Sequence, residues 1–131
     1  MDLHQRAIDY IESKLPDLYS SVYAIPMAEG KEGIAVTVAP SRLNNEYMNG
    51  KKDDNMLLQI TAKAAESQKA YDVLWNIAYL LESAQKKAIE SENNSFCFNR
   101  ASIYSSPNFA YMDTNQTFVY VTMINLEFER W

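Results

Sequence analysis

Near its C-terminus the chain alternates two kinds of side chain for about 13 residues, a strand of roughly 43 Å at the usual rise per residue. Phe118, Tyr120, Thr122, Ile124, Leu126 and Phe128 fall on one side of the run from Thr117 to Glu129. Val119, Val121 and Met123 begin the other side, which continues as Asn125, Glu127 and Glu129. A strand of this length needs partners for its backbone N–H and C=O groups, so it dictates a sheet with at least one long neighbour. The stretch 95–104, opening on Phe96 and Phe98, is the candidate. The pair then forms a long twisted or bulged hairpin, or one end of the final strand is left to pair with a neighbouring subunit.

The preceding residues supply the rest of the frame. Leu3, Ala7, Tyr10, Ile11 and Leu15 recur at helical spacing, which predicts a helix over about 2–15. Asp2 with Gln5 resembles a capping box at its start, and Pro16 ends it. Strands are expected over 18–25 and 33–39, the second marked by alternation of Ile34, Val36 and Val38 with Ala35, Thr37 and Ala39. Residues 40–54 read as a polar loop, and 55–63 as a third strand. A second helix is expected over 67–91 with Ser67 as its N-cap. Its apolar face carries Ala70, Val73, Leu74, Ile77, Leu81, Ala84 and Ala88, with Lys86 and Lys87 at the negative end of its dipole. The order α-β-β-β-α-β-β defines an α+β fold: a mainly antiparallel sheet with two helices packed on one face, in a single domain over 1–131.

Composition narrows the chemistry. A formal net charge of −5 with no basic run argues against specific nucleic-acid binding. No apolar run approaches the length of a membrane span, and the first residues lack the pattern of a secretion signal. Cys97 is the only cysteine, so neither an intrachain disulfide nor a cysteine-based zinc site is expected. His4 is the only histidine and falls in the first helical turn, where a solvent-facing ring is expected. Asp53-Asp54 follows Lys51-Lys52, which reads as a solvated loop neutralising its own charge. Gly30 and Gly33 are too closely spaced for a phosphate-cradling loop. No catalytic residue, metal site or cofactor is expected.

Contact with other proteins is the remaining reading. Tyr71, Trp75 and Tyr79 drift across the second helix away from its apolar stripe, onto the side shared with Glu82 and Lys86. Aromatic rings on a polar face mark either a docking surface or a face covered by the first helix. Arg42 and Tyr47, in the 40–54 loop, are further candidate contact residues.

Three stretches together carry a family resemblance. The first is the opening helix from Leu3 to Leu15 with the short strands after it. The second is Leu57-Leu58-Gln59-Ile60-Thr61-Ala62-Lys63-Ala64-Ala65-Glu66-Ser67-Gln68-Lys69-Ala70-Tyr71, a strand, polar turn and helix. The third runs from Ile103-Tyr104-Ser105-Ser106-Pro107 through Asp113 into the closing strand. In this order the chain resembles the tail-terminator (tail-completion, minor capsid) proteins of long-tailed bacteriophages. Ala110-Tyr111-Met112 stands where the resemblance leads one to expect a glycine-like turn.

The resemblance implies a structural protein of the virion neck that assembles in the host cytoplasm. Its copies would form a ring, a hexamer, on the last tail-tube ring, end polymerisation and offer a surface to the head-connector protein. The 40–54 loop and the closing hairpin would be its contacts, and an acidic protein suits a channel through which DNA slides. Two alternatives stay open at this point. One is another neck component, a stopper or adaptor. The other is a small ligand-binding or enzymatic α+β domain with Asn99, Arg100 and Tyr104 as pocket liners.

Overall fold

The structure, a computed structural model, describes residues 2–26, 31–39, 52–92 and 95–130. Two helices, α1 (Leu3–Lys14) and α2 (Ser67–Glu82), accompany five strands. These are β1 (Val22–Tyr23), β2 (Gly33–Ala39), β3 (Lys52–Ala64), β4 (Phe96–Asp113) and β5 (Thr117–Arg130). They form one sheet in the order β1-β2-β3-β5-β4, antiparallel throughout except for the parallel β1–β2 pair.

Strand register explains the core. Ile34 lies opposite Ala62, Val36 opposite Ile60, and Leu58 opposite Ile124, so the alternating apolar residues of three strands share one face. Leu3, Ala7, Ile8 and Ile11 of α1 join that face in a single hydrophobic cluster, as do Ala70, Val73, Leu74, Ile77, Ala78 and Leu81 of α2. At about 25 cal/mol per Å² of apolar surface removed from water, this layer is the main source of stability.

Several elements depart from the sequence expectation. The 18–25 strand shrinks to two residues because Leu18 and Tyr19 pack against the core from an irregular segment. The Tyr19 hydroxyl lies 3.0 Å from the Gly33 carbonyl and 2.9 Å from that of Lys63, tying this segment to both strands. Burial, and then the Glu32 carboxylate, push the Tyr19 phenol well above its ordinary pKa, so it remains a donor. The strand expected over 55–63 starts at Lys52 instead, since β5 provides partners as far as Arg130. Asp54 is therefore in the sheet and buried rather than in a solvated loop.

Helix α2 stops at Glu82, not at 91. Lys87 takes a left-handed conformation, φ 68°, and donates its N–H to the Phe98 carbonyl at 2.9 Å. That bond and the burial of Ile89 turn the chain towards the sheet, overriding the helical spacing of Ala84 and Ala88. Lys86 and Lys87 thus lie past the helix end, and its last turn carries no basic residue. Ser67 is the first helical residue; Glu66 holds the N-cap position and makes no side-chain cap.

Neither capping box nor solvent-facing histidine is found at α1. The Asp2 carboxylate makes no cap and instead accepts hydrogen bonds from Ser91 Oγ (2.8 Å), the Glu92 N–H (2.8 Å) and Ser95 Oγ (3.2 Å). Arg6 adds a bond from Nε to the Glu90 carbonyl at 2.7 Å. The start of α1 is thereby stitched to the segment leading into β4. His4 is half-buried, and its Nε2–H donates to the Val36 carbonyl at 2.6 Å. A carbonyl can only accept, so Nε2 carries the hydrogen.

The Asp2 cluster has a testable consequence. Partial desolvation raises its carboxyl pKa, but the bonds from Glu92, Ser91 and Ser95 outweigh this and leave it below the ordinary 3.8. A depressed folded-state pKa contributes stability above the unfolded value, and the contribution is lost as pH falls through the folded one. Asp2→Asn should therefore flatten the acid limb of the stability profile below about pH 4 and lower stability at neutral pH. Urea midpoints measured from neutral pH to pH 3 check this; superimposable profiles would refute it.

Candidate protein interface

Helix α2 follows β3 after a short turn and packs across β3, β5 and β4. Its ring-bearing flank faces the distal half of the β4–β5 hairpin. Tyr71 and Trp75 meet edge to face with centroids 6.3 Å apart, and Trp75 stacks on Tyr79 at 5.0 Å. Tyr71 continues to Tyr120 of β5 at 5.8 Å, and Tyr120 to Phe109 of β4 at 5.5 Å. Phe109 in turn contacts Phe118 at 6.5 Å. The result is a ladder of rings from helix to hairpin, each contact of a kind that contributes about 0.5–1.5 kcal/mol beyond area burial.

The three candidate aromatics are brought together, with unequal exposure. Tyr71 and Trp75 are half-buried, and Tyr79 is 56% exposed. Beyond Trp75 of its own helix, the ring neighbour of Tyr71 is Tyr120 of the hairpin. Arg42 and Tyr47 lie outside the described residues, as does most of the 40–54 loop.

The hairpin itself is longer than expected, because β4 runs to Asp113 rather than Tyr104. Strand β5 is paired with β3 on one side and β4 on the other, so neither end of it is left for a neighbouring subunit. The edge of the hairpin is β4, one of the two edge strands of the sheet. Register shifts fall between Phe98 and Arg100, Ile103 and Ser105, Ser105 and Asn108, and Phe109 and Tyr111. Pro107, which has no N–H to donate, sits inside one of these irregularities. The Asn108 side chain donates to the Ser106 carbonyl (2.9 Å) and the Val121 carbonyl (3.3 Å), replacing ladder bonds lost there.

Ala110-Tyr111-Met112 is strand, not turn, and the reversal comes at Thr114–Gln116, where Gln116 has φ 55°. Asp113 anchors it. One carboxylate oxygen accepts the Thr114 N–H at 2.8 Å, and the other is 2.7 Å from Lys63 Nζ in an ion pair whose side chains are 5% and 7% exposed. Tyr104, Phe109, Tyr111 and Met112 of β4 are exposed, and sequence reasoning missed them. Phe109 and Tyr111 are two residues apart, but the register shift between them sets Phe109 opposite Tyr120 and Tyr111 opposite Val119, on different faces of the sheet, which spacing alone does not reveal.

Among the described residues, the pocket liners expected for a ligand-binding or enzymatic domain are not brought together. Arg100 pairs with Glu127 across the hairpin, and Tyr104 is 69% exposed, so these liners do not converge. Among the described residues no group of three or more His, Cys, Asp or Glu side chains is placed to hold a metal ion. No described helix is long and apolar enough to cross a membrane.

Exposed rings on a sheet edge are the equipment of a protein that acts through surfaces presented to other proteins. The comparisons agree with that class. The chain belongs to the bacteriophage tail terminator family, whose description, "Bacteriophage tail terminator protein", matches residues 11–130. It is thus a structural protein of the phage tail. Among solved structures it is similar to a chain of the "Virion of native gene transfer agent (GTA) particle", at 9% identity and a TM-score of 0.60. That likeness covers 97% of this chain and 94% of the other, and it concerns the fold alone. Among curated proteins no match was found.

Proposed function

We propose that this protein ends the tail tube. Copies assemble as a ring, a hexamer, on the last ring of tail-tube protein, block further addition, and present the opposite surface to the head-connector protein. Membership of the terminator family across 11–130 is the observation that carries this reading. The fold shared with a chain from a virion particle supports a place in the virion, at the neck. The work is stoichiometric binding without turnover, and the net charge of −5 suits a passage through which DNA slides without sticking.

Removing the gene from its phage tests the proposal. The expected result is tails of uncontrolled length that fail to join heads, with both defects corrected by supplying the protein in trans. Tails of normal, uniform length joined to heads would overturn it.

A further inference from the structure

Burial of one face normally fixes strand register, because a slip of one residue turns every side chain to the other face. The distal part of β4 lacks that safeguard. Tyr111 and Met112 lie opposite Val119 and Phe118, on different faces, and are 52% and 51% exposed. Exchanging their faces therefore changes little apolar burial.

The means for a slip is also present. The last register shift inserts Ala110 between the pairs Phe109–Tyr120 and Tyr111–Val119. Straightening it would set Ala110 opposite Val119, Tyr111 opposite Phe118 and Met112 opposite Thr117. Tyr111 would then join Phe109 and Phe118 on the helix-facing side, where further ring contacts are favourable. Upstream contacts do not forbid this. Thr122 Oγ1 donates to the Ser105 carbonyl at 2.6 Å and the Asn108 side chain to that of Val121, which pins β4 as far as Asn108.

Asp113 opposes the slip. It is the first charged residue of β4 after Arg100, and it lies opposite Thr117 with its carboxylate 2.7 Å from Lys63 Nζ. In the straightened register Met112 would take that place and set a thioether beside the Lys63 ammonium, whose side chain is 5% exposed. Withdrawing the counter-charge from a buried ion is strongly destabilising. We infer that the Lys63–Asp113 pair is a register lock, which selects the bulged pairing at the hairpin tip. A buried ion pair is a poor source of net stability, and choosing one register among several is the best-attested role of such groups. The lock keeps Tyr111 on the face away from the helices, where it lines a small cavity with Pro26, Thr37 and Thr61. It thus decides which ring each face of the tip presents.

Two cysteine pairs that share one position read the register. In a Cys97→Ser background, Met112→Cys with Phe118→Cys reports the bulged pairing, and Met112→Cys with Thr117→Cys the straightened one. With Lys63 and Asp113 in place, oxidation should close the first pair and leave the second reduced. In Lys63→Met with Asp113→Asn the bridge between 112 and 117 should rise several-fold, and in Asp113→Asn alone by less; circular dichroism confirms that each variant is folded. Deleting Ala110 removes the residue that a slip reabsorbs, so adding this deletion should return that bridge to the parent level. A pair that merely added stability would not change which cysteines meet. Deletion of Ala110 alone gives a reading that needs no unlocked variant: the bridge between 112 and 118 and the urea midpoint should both be kept. Three results would overturn the inference. They are a bridge between 112 and 117 no higher in the folded unlocked variants than in the parent, the same bridge already formed in the parent, or an Ala110 deletion that unfolds the protein.

Discussion

Lys63→Met is expected to destabilise the protein by about 3–5 kcal/mol, the range for removing one partner of a buried ion pair. The Lys63 ammonium lies 2.7 Å from Asp113 Oδ2, and both side chains are almost excluded from solvent. Without it, the Asp113 carboxylate loses the cation it faces. Asp113 also holds the Thr114 N–H, so the damage spreads to the reversal between β4 and β5. The urea midpoint should fall with little change in slope. Hydrogen exchange should rise first in residues 109–120. Replacing both partners, as Lys63→Met with Asp113→Asn, should recover part of the loss, since the unpaired charge is gone while an amide oxygen is still there to accept the Thr114 N–H. A Lys63→Met midpoint within error of the parent would refute the role assigned to this pair.

Phe98→Ala is expected to cost a similar amount, about 3–5 kcal/mol, by a different route. Phe98 is fully buried at the start of β4 and lies opposite Phe128 in the hairpin register. Its backbone carbonyl accepts the Lys87 N–H, so a collapse around the emptied ring site also loosens the chain leaving α2. The residual cavity adds to the lost transfer energy because both layers around it are packed. Tyr79→Ala serves as the control. More than half exposed, it should change stability by less than about 1 kcal/mol. Thermal and urea unfolding of the two variants check the contrast; equal losses would mean that the ladder holds the fold itself together.

The frame was legible where one physical cause dominated. Alternation placed β2 and β5, and periodic apolar residues placed α1 and the body of α2, because burial of one face decides both patterns. It failed where distant contacts overrode local preference. Ala84 and Ala88 continue the helical spacing of α2, yet the Phe98 carbonyl and the pocket for Ile89 take the chain elsewhere. Ser105-Ser106-Pro107-Asn108 has the composition of a turn but sits within an edge strand, where a proline is tolerated. Lys52 to Asp54 looks like loop until β5 is long enough to pair with it. Of the candidate site, the α2 aromatics could be read from the sequence, but their ring partners Tyr120 and Phe109 depend on register. No periodicity within α2 could have revealed them.

Strand β4 spends 18 residues where β5 spends 14, a difference of four taken up at the register shifts. Two strips of unequal length fastened side by side cannot both stay straight, so the outer one bows. A flat strand from an unrelated chain would meet its donors and acceptors in phase for only a few residues before drifting out of step. The edge is chemically inviting and mechanically selective. Its apolar surface favours a partner, while its arc restricts that partner to one of matching shape, so a bare edge need not become a site of runaway aggregation.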